Sequence, residues 1–160
     1  MDVTGKTVLV ADDTQWTVDL LTVVLGDMGI KVEVAVDGEE AVAMAKRTTP
    51  DLILLDIMLP LMDGWEVATR LLTDSRTANI PIIFLTTRAG TSEQLRGWSM
   101  PVFEYITKPF EISDLVEKVK AVLSAEPEEK PELREQMRRE KLRSLLGLKK
   151  TGEDQTDQGR

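Results

Sequence analysis

Five short apolar runs alternate with segments of helical periodicity, and this alternation restricts the fold more than any other feature of the sequence. The apolar runs lie at residues 6–11, 31–36, 51–55, 80–85 and 102–106. The helical patterns lie at residues 14–28, 39–47, 65–72 and 111–123. Strands that alternate with helices form parallel sheets with right-handed crossovers. The sequence therefore predicts an α/β protein with a doubly wound, five-stranded parallel (βα)5 sheet.

The composition of the runs predicts where each strand lies in that sheet. The runs at 6–11, 51–55 and 80–85 are almost entirely apolar, as expected for strands that helices cover on both faces. The stretch Val32-Glu33-Val34 alternates between apolar and polar residues, which is typical of an edge strand.

Missing residue types exclude several classes of site. The chain has no cysteine and no histidine, which excludes disulfide frameworks, cysteine or histidine zinc sites and Ser-His-Asp triads. Any metal must therefore be held by oxygen atoms, which favours Mg²⁺, Mn²⁺ or Ca²⁺. The N-terminus has no apolar signal-peptide core and no run reaches the length of a membrane span, so we expect a cytoplasmic protein.

Polar side chains follow four of the predicted strands. Asp12 and Asp13 follow the first run, Asp56 the third, Thr86 the fourth and Lys108 the fifth. The carboxyl ends of parallel strands meet at one edge of a sheet, where ligands of such folds bind. Three converging carboxylates repel one another unless a hard cation joins them, and a carboxylate beside Mg²⁺ can act as a nucleophile toward a phosphoryl group. The pattern predicts a magnesium-dependent phosphoryl-transfer site.

The same residues lie in motifs that resemble the receiver domain of two-component response regulators, the CheY-like family with a flavodoxin-like sheet. The resemblance covers residues 4–124. It is carried by VLVADD at 8–13, DGEEA at 37–41, PDLILLDIMLPLMDG at 50–64, PIIFLT at 81–86 and YITKPF at 105–110.

The resemblance implies a metal site and a phosphoacceptor. Asp56 would accept the phosphoryl group and Asp13 would bind Mg²⁺, or Mn²⁺ in its place, directly. Asp12 would act through a water molecule, and the backbone carbonyl of Met58 would complete the protein ligands.

The resemblance also implies a switch. Lys108 would pair with the phosphoryl group, Thr86 would move toward it, and Tyr105 would turn inward to fill the vacated space. A half-buried strand aromatic with no switching role is the alternative for Tyr105.

The phosphoryl donor in this family is a phosphohistidine, which this chain cannot supply. A histidine kinase or histidine phosphotransfer protein would therefore act in trans, and the chain would be a phosphoacceptor rather than an enzyme. A haloacid-dehalogenase-type phosphatase would need a second aspartate where this chain has Met58.

Charge and composition divide the chain at residue 125. Residues 1–124 carry a net charge of −8, and residues 125–160 carry nine acidic and nine basic side chains. We predict a receiver at 1–124, a linker at 125–131, a basic helix at 132–148 and a disordered tail at 149–160. At 36 residues, the segment 125–160 is expected to be too small for a full DNA-binding output domain. The basic helix could contact nucleic acid, an anionic membrane or an acidic partner, fold back on the receiver, pair with a second copy, or remain solvated.

Two further features bear on partners. In the first helix, Trp16, Val18 and Val23 exceed what the core needs, and they predict either a docking patch for a kinase or a second copy, or extra local packing. Pro101 stands where the family has glycine, which predicts that a fourth helix ends early, near Gly97. An interaction module that needs no phosphate and acts through the first helix or the basic helix is the alternative function.

Overall fold

The structure, a computed structural model, describes residues 2–87 and 100–147 of the 160-residue chain. Within these residues five parallel strands form one sheet in the order β2-β1-β3-β4-β5. The strands are β1 (Thr7–Ala11), β2 (Lys31–Ala35), β3 (Leu52–Asp56), β4 (Ile82–Thr86) and β5 (Glu104–Thr107). The predicted fold class and the edge position of β2 are confirmed. The strand bounds differ from the predicted ones by up to two residues.

Five helices lie in the described part of the chain. They are α1 (Gln15–Asp27), α2 (Gly38–Thr48), α3 (Gly64–Thr73), α4 (Ile112–Ser124) and α5 (Lys130–Leu145). Helix α5 begins two residues before the predicted start at 132, so the segment after α4 is shorter than the predicted linker. The predicted helix end near Gly97 and the predicted tail at 149–160 lie outside the described residues.

Alternate side chains of each central strand enter two separate apolar layers, one on each face of the sheet. Val8 and Val10 pack with α1 and α4 on one face. Leu9 and Ala11 pack with α2 and α3 on the other face. The result is a three-layer α/β/α arrangement in which both faces of the sheet are covered, as the almost continuously apolar strands predicted.

Two Asp-Gly pairs begin helices at the edge of the sheet where the candidate site lies. The side chains of Asp37 and Asp63 accept hydrogen bonds from the backbone N–H of Glu40 and Glu66, and so cap α2 and α3. At Gly64 a Cβ would lie 2.4 Å from the carbonyl oxygen of Asp56, so only glycine lets α3 begin this close to the end of β3.

Helix α5 packs against β5 rather than standing apart from the rest of the molecule. Met137 is buried in the same apolar layer as α1 and α4, and Leu133 packs beside it. Leu142 and Leu146 remain exposed. In the described residues, no helix is long and apolar enough to cross a membrane.

Candidate functional site

The strand register brings the predicted site residues to one edge of the sheet. Ala11 pairs with Leu55, so Asp12 and Asp56 follow neighbouring positions on β1 and β3. Thr86 ends β4 opposite Thr107, and Lys108 leaves β5 directly afterwards. The local sequence accounts for this geometry in β1, β3 and β4, because the apolar run of each of these strands ends at the polar residue that enters the site.

Three carboxylates converge there. Oxygen atoms of Asp12, Asp13 and Asp56 all lie within 4.8 Å of one another. Asp12 and Asp56 are buried, whereas Asp13 is exposed to solvent. A cluster of carboxylate oxygens with one open side is the donor set that suits Mg²⁺, which keeps part of its water shell.

Lys108 supplies a positive charge to two of these carboxylates. Its Nζ donates to Oδ2 of Asp12 at 2.6 Å and to Oδ2 of Asp56 at 3.2 Å. The remaining oxygens are also engaged, since Oδ1 of Asp12 accepts from the N–H of Thr14 and Oδ1 of Asp56 accepts from the N–H of Met58. Both buried carboxylates are therefore held in fixed orientations.

The pKa values of Asp56 and Lys108 are set by two opposing effects, burial and the charge of the neighbouring groups. Burial raises the pKa of the Asp56 carboxyl above its ordinary value, although the Lys108 charge and the Met58 N–H oppose this shift. Burial by itself would lower the pKa of the Lys108 amine. Its hydrogen bond to Asp12 and the charges of Asp56 and Asp12 outweigh that effect and raise the pKa. The site thus holds a partly buried ammonium within hydrogen-bonding distance of the Asp56 carboxylate.

The two predicted switch residues are both buried. Thr86 is enclosed at the end of β4. The Tyr105 ring packs against Phe84 with 6.0 Å between ring centroids, and Phe84 in turn packs against Trp65 at 5.0 Å. Tyr105 is therefore buried and faces inward in this structure, rather than half-buried, and its switching role stays a prediction.

The rim of the site carries exposed apolar side chains. Met58 is half exposed, and its sulfur accepts a hydrogen bond from Thr87 Oγ1 at 3.9 Å.

A groove of about 310 Å³ adjoins Lys108 and extends along α1. Trp16, which is 71 % exposed, lines it together with Leu20, and the segment after β5 contributes Pro109, Phe110 and Ile112. Val23 is exposed as predicted, but Val18 is buried in the core, so the prediction that it is surplus was wrong. The sequence analysis did not predict that Phe110 and Ile112 line this groove. Their closeness to Lys108 in the sequence was the signal that could have indicated it.

The family model of the response regulator receiver domain matches residues 8–120, which include every residue of the carboxylate and lysine cluster. The chain belongs to the response regulator receiver family. Receiver domains of this family act as phosphoacceptor switches in two-component systems, bind Mg²⁺ at an acidic pocket and interact with histidine kinases or phosphotransfer partners.

Curated relatives of this receiver include transcriptional regulators. The DNA-binding dual master transcriptional regulator RpaA of Synechocystis is 39 % identical over 116 residues, which are 72 % of this chain and 48 % of RpaA. The phosphate regulon transcriptional regulatory protein PhoB of Pseudomonas aeruginosa is 40 % identical over 119 residues, 74 % of this chain and 52 % of PhoB. The chain spans about half the length of these relatives.

Solved structures share the fold of this receiver. The chemotaxis response regulator CheY4 of Vibrio cholerae superposes with a TM-score of 0.69 at 30 % identity, over 74 % of this chain and 99 % of CheY4. The receiver domain of the sensor histidine kinase PA1611 of Pseudomonas aeruginosa gives a TM-score of 0.70 at 25 % identity, over 76 % of this chain and all of that domain. In that structure a magnesium ion is coordinated in the active-site cleft.

Proposed function

We propose that this receiver accepts a phosphoryl group on Asp56 from a phosphohistidine of a partner protein and thereby changes its affinity for a downstream protein. The observation that carries the proposal is the environment of Asp56. Its buried carboxylate lies 3.2 Å from the Lys108 ammonium, and the carboxylates of Asp12 and Asp13 complete a cluster within 4.8 Å.

The transfer needs little chemistry beyond positioning and charge. A carboxylate oxygen of Asp56 attacks phosphorus, an O–P bond forms and the P–N bond of the phosphohistidine breaks. The imidazole leaves with the electron pair and takes up a proton. Lys108, already hydrogen-bonded to Asp56, is placed to pair with the phosphoryl oxygens. These 160 residues contain no histidine, so the phosphohistidine donor lies outside them.

The carboxylate cluster would hold the metal that this reaction needs. We assign Asp13 and Asp56 as direct ligands of Mg²⁺, Asp12 as a ligand through water, and the Met58 carbonyl as the remaining protein donor. When bound, Mg²⁺ or Mn²⁺ supplies positive charge that offsets the charge of the carboxylates and of the phosphoryl oxygens.

Thr86 and Tyr105 would couple phosphorylation of Asp56 to a conformational change in the rest of the domain. Thr86 ends the strand beside β3, one residue beyond the register partner of Asp56, and we assign its hydroxyl as a donor to a phosphoryl oxygen on Asp56. Tyr105 pairs with Phe84 across β4 and β5, which links its ring to the strand that Thr86 ends. A shift of Thr86 would therefore change the packing around Tyr105.

The groove along α1 is the surface where we place the phosphohistidine donor. It is contiguous with the site, because Lys108 and Thr87 line it together with Trp16. Its lining is mainly apolar, and large exposed aromatic side chains dominate the energetics of protein interfaces. A partner that covers this groove would bring its imidazole next to Asp56.

Phosphorylation by acetyl phosphate tests the function directly. With Mg²⁺ present, intact-mass spectrometry should show one added phosphoryl group that hydroxylamine removes, as expected for an acyl phosphate. Asp56→Asn should abolish the addition, and chelation of Mg²⁺ with EDTA should abolish it in the wild type. Asp27→Asn, an exposed aspartate at the end of α1, is the matched control and should be phosphorylated normally. Phosphorylation that persists in Asp56→Asn would refute the assignment.

A phosphate-independent interaction module is the second candidate, because the apolar groove is open in the unphosphorylated protein. Nucleic acid is a poorer partner for α5, since Lys130, Arg134 and Lys141 are half-buried on the side that contacts the receiver. Asp56→Asn separates the two functions: a phosphate-independent module would bind its downstream protein equally well with and without this substitution.

A further inference from the structure

A buried carboxylate outside the phosphorylation site joins β5 to two helices. Glu104 begins β5 and is 3 % exposed. Its Oε1 accepts the backbone N–H of Tyr105 at 2.9 Å, and its Oε2 lies 3.4 Å from Nζ of Lys118 on α4. On α5, Nζ of Lys141 lies 3.7 Å from Oε1. Because a buried carboxylate needs compensating partners, Glu104 holds both helices to the strand.

The face that α5 turns toward the receiver is apolar at its centre and basic around it. Met137 is 5 % exposed and packs in the core layer, and Leu133 lies one turn before it. The half-buried cations of this face are Lys130, Arg134, Arg138 and Lys141. The exposed face carries Glu132, Glu135, Gln136, Arg139 and Glu140. The basic face thus lies on the portion of the chain that carries all of the net negative charge.

The strand that α5 contacts is an edge of the sheet. Strand β5 pairs with β4 on one side only. Helix α5 packs against β5. An uncovered edge strand presents unpaired N–H and C=O groups to other chains, and helices are one means by which proteins cover such edges. A polar 16-residue helix has little stability in water by itself, so its order depends on this docking.

The same strand connects the docked helix to the phosphoacceptor. Glu104 and Tyr105 are adjacent, and the N–H of Tyr105 is the donor that orients the Glu104 carboxylate. Three residues later Lys108 leaves the strand and bonds to Asp12 and Asp56. A displacement of Lys108 toward a new phosphoryl group would act on the strand that carries Glu104.

We infer that α5 is a reversible cover of the β5 edge, held by Met137 and by the Glu104–Lys141 pair, and that a phosphoryl group on Asp56 loosens it. The inference rests on the proposed function for its trigger. Because Lys141 is the α5 residue that pairs with Glu104, a shift of β5 would act directly on this contact. Release exposes the basic face of α5 together with the part of β5 that the helix contacts.

Hydrogen exchange of the full chain tests the inference, with beryllofluoride and Mg²⁺ as the phosphoryl mimic. Backbone amides of α5 should exchange about tenfold faster with the mimic than with Mg²⁺ alone, since local opening sets their protection. Amides of α2, on the far side of the sheet, should not change. Altered exchange around Asp56 and Lys108 with unchanged or slower exchange in α5 would overturn the inference and leave the proposed function standing. No change in any segment would overturn both.

Substitutions on the two faces of α5 test, without the mimic, whether the Glu104–Lys141 pair holds the helix. Lys141→Gln should accelerate exchange in α5 severalfold, because it removes the ion pair without altering the apolar layer. Arg139→Gln on the exposed face is the matched control and should leave exchange unchanged. Both variants should still be phosphorylated on Asp56. Equal exchange rates in the two variants would show that the Glu104–Lys141 pair does not hold the helix.

Discussion

The Nζ atom of Lys108 lies 2.6 Å from Oδ2 of Asp12, a residue 96 positions earlier in the chain. The Asp12 side chain is fully buried and the Lys108 side chain is 13 % exposed, so the pair is largely withdrawn from solvent. Asp56 shares the same ammonium. Without the Lys108 ammonium, the two buried carboxylates would repel each other with no positive charge between them. The stability of the domain therefore depends on this ammonium.

Replacement of Lys108 by alanine should therefore make stability depend on Mg²⁺. We expect the metal-free variant to lose about 1–3 kcal/mol, because its buried carboxylates have lost a hydrogen-bonding partner. Mg²⁺ should raise the melting temperature of the variant more than that of the wild type. Thermal unfolding with EDTA and with excess Mg²⁺ measures the difference, and Lys31→Ala on the exposed side of β2 is the control. Equal increments in Lys108→Ala and wild type would show that Lys108 does not balance these carboxylates.

Replacement of Trp16 by alanine should separate donor docking from chemistry. Trp16 lines the groove but does not belong to the carboxylate cluster. We expect phosphoryl transfer from the histidine kinase that phosphorylates the wild type to slow about tenfold or more, as for loss of an interface aromatic. Phosphorylation by acetyl phosphate should be unchanged. Val23→Ala, which removes an exposed apolar side chain of α1 outside the groove lining, should have a smaller effect. A parallel loss with acetyl phosphate would place the defect in the site itself.

Replacement of Gly64 by alanine should disturb the site through the backbone. The new Cβ would lie 2.4 Å from the Asp56 carbonyl oxygen and 2.7 Å from Cα of Ile57, so α3 must move away from the end of β3. We expect a loss of about 1–3 kcal/mol in stability and slower phosphorylation of Asp56. Gly26→Ala in α1 is the matched control, because its Cβ meets nothing within 4 Å and alanine favours helix by about 0.5–1 kcal/mol. Denaturant unfolding compares the two, and equal stability would contradict the close approach.

The fold and the candidate site could both be predicted from the sequence, and for the same physical reason. Buried strands need nearly continuous apolar residues, so the first polar residue after each run marks the edge where ligands bind. This reasoning predicts that Asp12, Asp56 and Lys108 lie together, and the hydrogen bonds of Lys108 to both carboxylates confirm that proximity.

The surroundings of the site are harder to predict from the sequence, because they depend on tertiary packing. Glu104 lies in an apolar run, and only the two helices that meet it explain why a carboxylate is buried there. The apolar stripe of α5 is weak, so the sequence does not predict whether the helix docks on the receiver. In the structure Met137 is buried in the core layer and Leu133 packs against that layer. Val18 was predicted to be surplus because helical periodicity alone does not show how far the sheet extends beneath α1.

The acid dependence of stability should contain a contribution from Asp74, which ends α3. Hydrogen bonds from Arg76, with Lys46 of α2 nearby, lower the pKa of the Asp74 carboxyl in the folded protein. A carboxyl whose pKa is lower in the folded than in the unfolded state stabilises the fold above the unfolded pKa, about 3.9, and this contribution is lost as pH falls through the folded pKa. Asp74→Asn should therefore melt slightly below wild type at pH 7, and the difference should shrink below about pH 4. Arg76→Gln should reproduce this pH dependence, whereas Arg70→Gln, which removes a different ion pair of α3, is the comparison variant. A constant difference between Asp74→Asn and wild type from neutral to acid pH would contradict the assignment.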